Sequence, residues 1–479
     1  MLLLTELLKD WPCTVSGKGI RAIVAGVTET ASTVKAGYIF IARKGVREDG
    51  ALYIAEAIER GAVAIVVDRA IESNMSVYVP VVTVPDCRKF LSYASARFSG
   101  NPSERLKVIA VTGTNGKTTV THFIGQLLKR YGVRTAVIGT TGVFVDGVQM
   151  MYNAPKMTTL PAEYLHPLLA LCEDAGVTHI VLEASSVGLS TCRLDHCQID
   201  IGILLNIGVD HYEEHGGQEA YMQAKKKLVH LAKTMIVNVE DARCVAMIKD
   251  ATVPKVYFGE HRVADCCLED EQLQLTMPGN YNRRNALAAC SALVVLGYPL
   301  DEVLSSCHLL ELPEGRLQQM ERGGVTVVID YAHTPDALEA VLQTLAGICQ
   351  GRLITVFGCG GERDRGKRGE MGQLAVFYSA SVIVTSDNPR SEDPLAIIAD
   401  IMSGFGGECT AAEAVPDRKN AIRQAVFYAA PGDIVLIAGK GHEKTQHTAT
   451  GLISFSDLEV AQQALREKIY IHPEEMGSE

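Results

Sequence analysis

Along most of the chain, short apolar runs alternate with longer stretches in which apolar residues recur every three or four positions. In the first hundred residues, "GYIFIA", "GAVAIVVD" and "VPVVTV" read as strands and "ALYIAEAIERGA" as a helix. The cluster Ser99, Gly100, Asn101, Pro102 holds only turn formers and predicts a linker. From about residue 106 the pattern becomes apolar strand, turn, long helix, repeated through "KVIAVTG", "RTAVIGT", "THIVLEASS", "DIGILLNI" and "TMIVNVE". The chain turns again around "LPEGRLQQM", and a third series follows: "VTVVIDY", "RLITVFG", "SVIVTSD" and "DIVLIAG". Strands alternating with helices predict an α/β fold, parallel sheets carrying helices on both faces. Three domains are expected, at 1–98, 99–313 and 314–479. Each strand of the last series runs into a polar or glycine-rich loop, where open parallel sheets bind ligands.

Composition narrows the functional classes. A chain of 479 residues is too long for one core, and 47% hydrophobic with 21% charged is ordinary globular material. The net charge of -11 argues against nucleic acid as a partner. "MLLLTELLKDW" lacks a positive leader and meets Glu6 at once, so it does not read as a signal peptide. No apolar run reaches about 18 residues, so no membrane partner is expected. The 13 cysteines, such as Cys290 and Cys307, sit in apolar contexts and read as reduced core thiols of a cytoplasmic protein. Cys192, His196 and Cys197 lack a second pair at ligand spacing, so no zinc site is expected.

The stretch "VTGTNGKTTV" lies between an apolar strand and an amphipathic helix. Gly113, Thr114, Asn115, Gly116, Lys117, Thr118 and Thr119 match the end of a phosphate loop, with Val111 where such loops carry their first glycine. The arrangement offers backbone N–H groups and a helix N-terminus to an anion, Lys117 adds charge, and the Thr118 hydroxyl suits Mg²⁺.

That loop resembles the ATP loop of the Mur ligases, ATP-dependent amide-forming enzymes of cell-wall (peptidoglycan) synthesis. "NIGVDHYEEHGGQEAYMQAKKKL", "NYNRRNALAA", "EGRLQQM", "DYAHTPDALE", "GCGGERDRGKR", "TSDNPR" and "GKGHE" resemble the same family in the same order. They cover the last two thirds of the chain, and the final four resemble the type adding the third residue of the peptide. The resemblance implies an N-terminal acceptor-binding domain, a central P-loop-type ATPase domain and a C-terminal Rossmann-like domain that binds an amino acid. It implies ATP and Mg²⁺, small-molecule substrates (a UDP-muramoyl dipeptide and a diamino acid), and a monomer. Glu183 and His211 resemble the family's magnesium ligands. Asn282 and Asn285 resemble its adenine-side asparagines, Arg316 its phosphate-reaching arginine, and Asp330 and His333 its ribose and phosphate contacts. The ATP site is then split between two domains, and closure is expected.

Lys225 is read first from periodicity. Tyr221, Ala224, Leu228 and Leu231 form one stripe, Lys225 lies on its inward face, and Lys226 and Lys227 turn away by roughly 100° and 200°. A buried lysine favours its neutral form, which can add CO₂; the plain alternative is a lysine snorkelling from a charge run. The resemblance implies the carbamate, and with it a metal-binding role beside Thr118, Glu183 and His211.

For the amino acid, Asp387, Asn388, Pro389 and Arg390 fall on the loop after a strand, and Gly439 and Glu443 on another. Arg390 offers a planar fork for a carboxylate and Glu443 a charge for an ammonium, which suits meso-diaminopimelate and not lysine. Arg363 is expected on the substrate's other carboxylate; the alternative for Arg390 is a surface pair with Glu392 or Asp393.

The N-terminal third departs from the family. Thr30, Ala31 and Ser32 stand where it has Asp-Ser-Arg, Met157 precedes Thr158 and Thr159 where it has Asn, and Val187 follows Ser185 and Ser186 where it has His. Thr158, Thr159, Ser185 and Arg193 are expected to grip the acceptor. Two readings compete: an orthodox peptidoglycan ligase, and a paralogue using the same chemistry on another acidic acceptor lacking UDP. A folylpolyglutamate-type ligase would share the loop and the lysine but not "DNPR" and "GKGHE". A non-catalytic ATP-binding regulator would lose Lys117 or Glu183, and both are present.

Overall fold

The computed structural model describes residues 2–45, 48–70, 78–208, 210, 212–260, 264–267, 273–406 and 412–471. Three large sheets follow one another along the chain. The first has five strands in the order Thr14–Ser16, Val81–Thr83, Ala64–Val67, Tyr38–Ile41 and Gly26–Thr28. Only its Thr14–Ser16 edge is antiparallel. The helix expected at "ALYIAEAIERGA" opens as a 3-10 turn, Gly50–Tyr53, and continues as Ile54–Glu59. A longer helix, Cys87–Phe98, was not expected. Its Asp86 side chain caps the N-terminus by accepting from the Arg88 and Lys89 amides, but buried Ser92 and Ser95 dilute its apolar stripe.

The central sheet has nine strands. Lys107–Thr112 lies in its middle, between His179–Glu183 and Ile199–Leu204, and all three run parallel. At one edge Gly142–Val145 and Val148–Met150 form an antiparallel hairpin, absent from the expected all-parallel pattern. These strands are too short to show a period. The helices Lys117–Arg130 and Asn280–Val295 cover one face through Phe123, Ile124, Leu127, Ala288 and Leu293. Ala162–Asp174 and Gln218–Leu231 cover the other through Leu165, Leu168, Tyr221 and Leu228. Each fully buried large side chain of this kind contributes about 1.5–3 kcal/mol.

The third sheet orders its six strands Gln318–Arg322, Val325–Asp330, Ile434–Ala438, Leu353–Phe357, Ser381–Val384 and Ala412–Ala414. All pairs are parallel except the first. Pro335–Ile348 and Gly366–Tyr378 pack on one face, Arg418–Tyr428 and Asp457–Ile471 on the other. The architecture is α/β in three layered units, as the strand–helix alternation predicts.

Candidate active site

The buried strand Lys107–Thr112 delivers the chain into the glycine loop, and the helix starts at Lys117. Gly116 has φ +90°, and a Cβ there would lie 2.5 Å from Asn285 Oδ1, so only glycine fits. Asn206 pins the loop from the next strand: Asn115 N donates to its Oδ1 at 2.8 Å, and its Nδ2 donates to Asn115 O at 3.0 Å. Lys117 Nζ donates to the Gly113 and Thr114 carbonyls, both at 2.9 Å, folding the side chain back over the loop. Burial lowers its pKa, against the pull of Glu183 and Asp210.

Glu183 ends its strand almost fully buried, so it is not an exposed strand-end acid. Its Oε1 accepts from Thr118 Oγ1 at 3.1 Å and Thr140 N at 2.8 Å, and its Oε2 from Thr140 Oγ1 at 3.1 Å. Gly139 makes the room, since a Cβ there would lie 2.1 Å from Glu183 Oε1. Thr118 and Glu183 are therefore in contact before any metal arrives, an oxygen pair suited to a hard cation.

Beside the loop opens a cavity of about 510 Å³, within the usual range for a small-molecule site. Asn115, Gly116, Thr119, Asn282 and Asn285 line it from the central unit; Arg316, Asp330 and His333 line it from the third. Asn282 Nδ2 donates to Pro278 O at 2.8 Å, while its Oδ1 and the Tyr281 hydroxyl are buried without partners among the described residues. Arg316 reaches across to donate to Thr118 Oγ1 at 3.3 Å, its guanidinium 4.6 Å over the Tyr331 ring. Its Nε has no partner among the described residues. Asp330 lines the cavity while its oxygens accept from the Leu317 and Ala332 amides, both at 2.7 Å, so it also organises the loop. His333 Nδ1 meets Tyr331 O at 2.7 Å, and Lys367 Nζ donates to His333 O at 2.8 Å. Asn206, Thr140 and Tyr331 were not expected, although "NIGVDH" and "DYAH" carry two of them.

Lys225 is 2% exposed on the inward face of its helix, and Lys226 and Lys227 are half-buried. The snorkelling alternative is thereby excluded. Its Nζ lies 4.7 Å over the Tyr221 ring, and the Tyr221 hydroxyl is 2.8 Å from Thr114 Oγ1 in the phosphate loop. Burial first, and the Lys117 charge second, push its pKa well below that of an ordinary lysine; Asp210 opposes them. His211 lies outside the described residues.

The four expected acceptor residues meet at the end of the Glu183 strand. Thr159 Oγ1 donates to Glu183 O at 2.7 Å, lies 3.0 Å from Ser185 Oγ, and accepts from Ser185 N at 2.9 Å. Thr158 Oγ1 accepts from Thr140 Oγ1 at 3.1 Å, and Arg193 donates to Thr159 O at 2.6 Å. Arg193 also shares the field of Glu29 and Arg43 from the first unit and of Glu163 from the central one.

In the third unit, Asp387, Asn388, Pro389 and Arg390 form the loop after Ser381–Val384. Arg390 adopts the left-handed backbone, φ +56°, uncommon for arginine, and its guanidinium donates to Gly361 O. Its surface alternatives are taken. Glu392 binds Arg365 and Arg368, and Asp393 caps the next helix. A Cβ on Gly360 would lie 3.2 Å from Arg390 Nη1 and 3.5 Å from Arg363 Cγ, so the two arginines flank one glycine. Arg363 also pairs with Glu214 of the central unit. Gly439, φ +113°, leaves space for Asp387, whose Oδ2 would be 2.6 Å from a Cβ there. Burial raises the Asp387 pKa. Glu443 already has partners: its Oε2 accepts from Lys440 Nζ at 2.7 Å and Asn388 Nδ2 at 2.9 Å. These contacts hold its pKa down despite burial.

Comparison with known proteins follows this geometry. Residues 24–99 match the Mur ligase family catalytic domain, 111–293 the Mur ligase middle domain, and 315–441 the Mur ligase glutamate ligase domain. A UDP-N-acetylmuramoyl-L-alanyl-D-glutamate--2,6-diaminopimelate ligase of Syntrophomonas wolfei is 35% identical, over 97% of this chain and 99% of its own. The like-named protein of Geobacillus kaustophilus is 36% identical over 91% of this chain and 93% of its own. A solved structure with the same title superposes with a TM-score of 0.67 at 32% identity, covering 98% of this chain and 99% of that one. With a phosphate loop, a cavity between two sheets and relatives matching nearly end to end, the chain belongs to the Mur ligase family.

Proposed function

We propose that this protein adds meso-2,6-diaminopimelate to UDP-N-acetylmuramoyl-L-alanyl-D-glutamate, using ATP, in peptidoglycan synthesis. The γ-phosphoryl group passes to the acceptor carboxylate and ADP departs. The diaminopimelate amine attacks the acyl carbon, phosphate leaves, and the nitrogen loses a proton. Positioning and charge neutralisation supply most of the acceleration.

The observation that carries this reading is Thr118, whose hydroxyl touches both Glu183 and Arg316 beside the cavity. Lys117 and the loop from Gly113 to Thr119 hold the phosphates, and Asn282 and Asn285 the base. The oxygens of Thr118 and Glu183, with His211 and carbamoylated Lys225, suit Mg²⁺, which would neutralise charge on the phosphates. Arg316 then serves the transferred group. Thr158, Thr159, Ser185 and Arg193 take the acceptor; Arg363, Asp387, Asn388, Pro389, Arg390, Gly439 and Glu443 take diaminopimelate. Residues 1–98, 99–313 and 314–479 act as acceptor, ATP and amino-acid domains of a cytoplasmic monomer.

The test is to incubate the protein with ATP, Mg²⁺, the UDP-muramoyl dipeptide and a panel of diamino acids, and weigh the products. Diaminopimelate should be incorporated and L-lysine rejected by about 10⁴-fold, because lysine leaves the Arg390 site unpaired. Arg390→Ala should raise the diaminopimelate KM steeply and blunt that preference. Equal use of both amino acids by the wild type overturns the assignment.

A further inference from the structure

Lys440 has no solvent exposure at all, yet it sits in a loop after a strand end, where lysines are ordinarily wet. Its ammonium donates to Asn388 Oδ1 at 2.9 Å and to Glu443 Oε2 at 2.7 Å. Asn388 Oδ1 also accepts from His447 N at 3.0 Å, and Asn388 Nδ2 donates to the same Glu443 oxygen at 2.9 Å. The amide of Asn388 can satisfy this pattern in one orientation only. Glu443 Oε2 is saturated by two donors, and Oε1, without a hydrogen bond among the described residues, is the atom left to a ligand. The side chain of Glu443 is 28% exposed while that of Lys440 is fully covered, so the lysine cannot touch the substrate itself.

We propose that Lys440 is a positioning residue for the amino-acid substrate: from beneath, it fixes Asn388 and turns Glu443 Oε1 outward to receive an ammonium group. This rests on the assignment of Asn388 and Glu443 to diaminopimelate. A buried ammonium with one carboxylate partner is weak evidence for stability, since desolvation offsets much of the attraction. Its worth lies in aiming two groups that a ligand must find already in place.

The test is a double-mutant cycle of Lys440→Met, Glu443→Gln and the double variant, with KM for diaminopimelate and for ATP and kcat measured separately. Lys440→Met should raise the diaminopimelate KM by about tenfold or more, leaving the ATP KM within about twofold, as expected for a lost charge-assisted contact. Adding Lys440→Met to Glu443→Gln should change the diaminopimelate KM little, because both act through one carboxylate. A purely structural lysine would lower kcat, raise both KM values and multiply with Glu443→Gln, which overturns the proposal. Should Lys440→Met fail to fold, the double variant, which strands no buried carboxylate, is compared directly with Glu443→Gln. A diaminopimelate KM further raised by about tenfold overturns the proposal, and an equal one supports it. A wild type that never uses diaminopimelate defeats the functional reading. A wild type that does, with Lys440→Met unchanged, defeats only the role of Lys440.

Discussion

An ammonium at Lys225 would have Lys117 as a neighbour and almost no water, so the neutral amine is the better-tolerated form. Only that form adds CO₂, and a carbamate there would carry the negative charge that the proposed metal-binding role needs. The sign follows: with the pKa lowered, the reactive amine is present above the lowered value and lost as pH falls through it. Lys225→Ala should leave less than a tenth of the turnover, a loss above about 1.4 kcal/mol, and short-chain carboxylic acids should partly restore it. Retention of more activity than that sinks the carbamate role. Single residues were legible where a period or a motif fixed them. The stripe Tyr221, Ala224, Leu228 put Lys225 inward, and the strand end put Glu183 beside Thr118. The partner of Glu443, Lys440, was not legible, because it lies three residues away in an irregular loop. No periodicity says which way such a loop folds.

At the scale of elements, the phosphate loop joins a buried parallel strand to a helix, and its geometry hangs on Gly116. An alanine there would hold φ +90° at a cost of about 1–3 kcal/mol. It would also drive its Cβ toward Asn285 Oδ1, displacing a wall of the cavity. Gly116→Ala should therefore raise the ATP KM by at least about tenfold while the far-ultraviolet circular dichroism stays native, since the strand and helix on either side are buried independently of the loop. Unchanged nucleotide affinity, read by calorimetry, would contradict this. The strand–helix alternation was readable because parallel strands buried on both faces are continuous apolar runs. The hairpin Gly142–Val145 and Val148–Met150 was not, because four-residue and three-residue edge strands offer too few positions to show a pattern. The helix Cys87–Phe98 escaped for a different reason: two of its core positions are serine.

At the scale of the molecule, each sheet has its own apolar core, and the central unit meets the third through Tyr281 and Leu312, packed on the third unit's core, and through a few polar contacts. Arg316 meets Thr118, Thr334 Oγ1 meets Asn115 Oδ1 at 3.4 Å, and Arg363 meets Glu214; Arg316 and Asn115 also line a cavity large enough for a nucleotide. Interfaces of this kind allow relative motion of the units they join. A ligand touching both walls favours the closed arrangement by its differential affinity for that state. The non-hydrolysable ATP analogue with Mg²⁺ should therefore shrink the radius of gyration in small-angle X-ray scattering. At a hundred times its dissociation constant it should add about 2.7 kcal/mol to the stability of the folded chain. Arg316→Ala removes the arm that crosses the gap while leaving both cores intact. It should weaken nucleotide binding by about tenfold or more, the range for a charge-assisted contact, and abolish the compaction even at saturating nucleotide. Closure that persists in saturated Arg316→Ala would assign the motion to contacts other than this arginine, and identical scattering with and without nucleotide would remove the motion altogether.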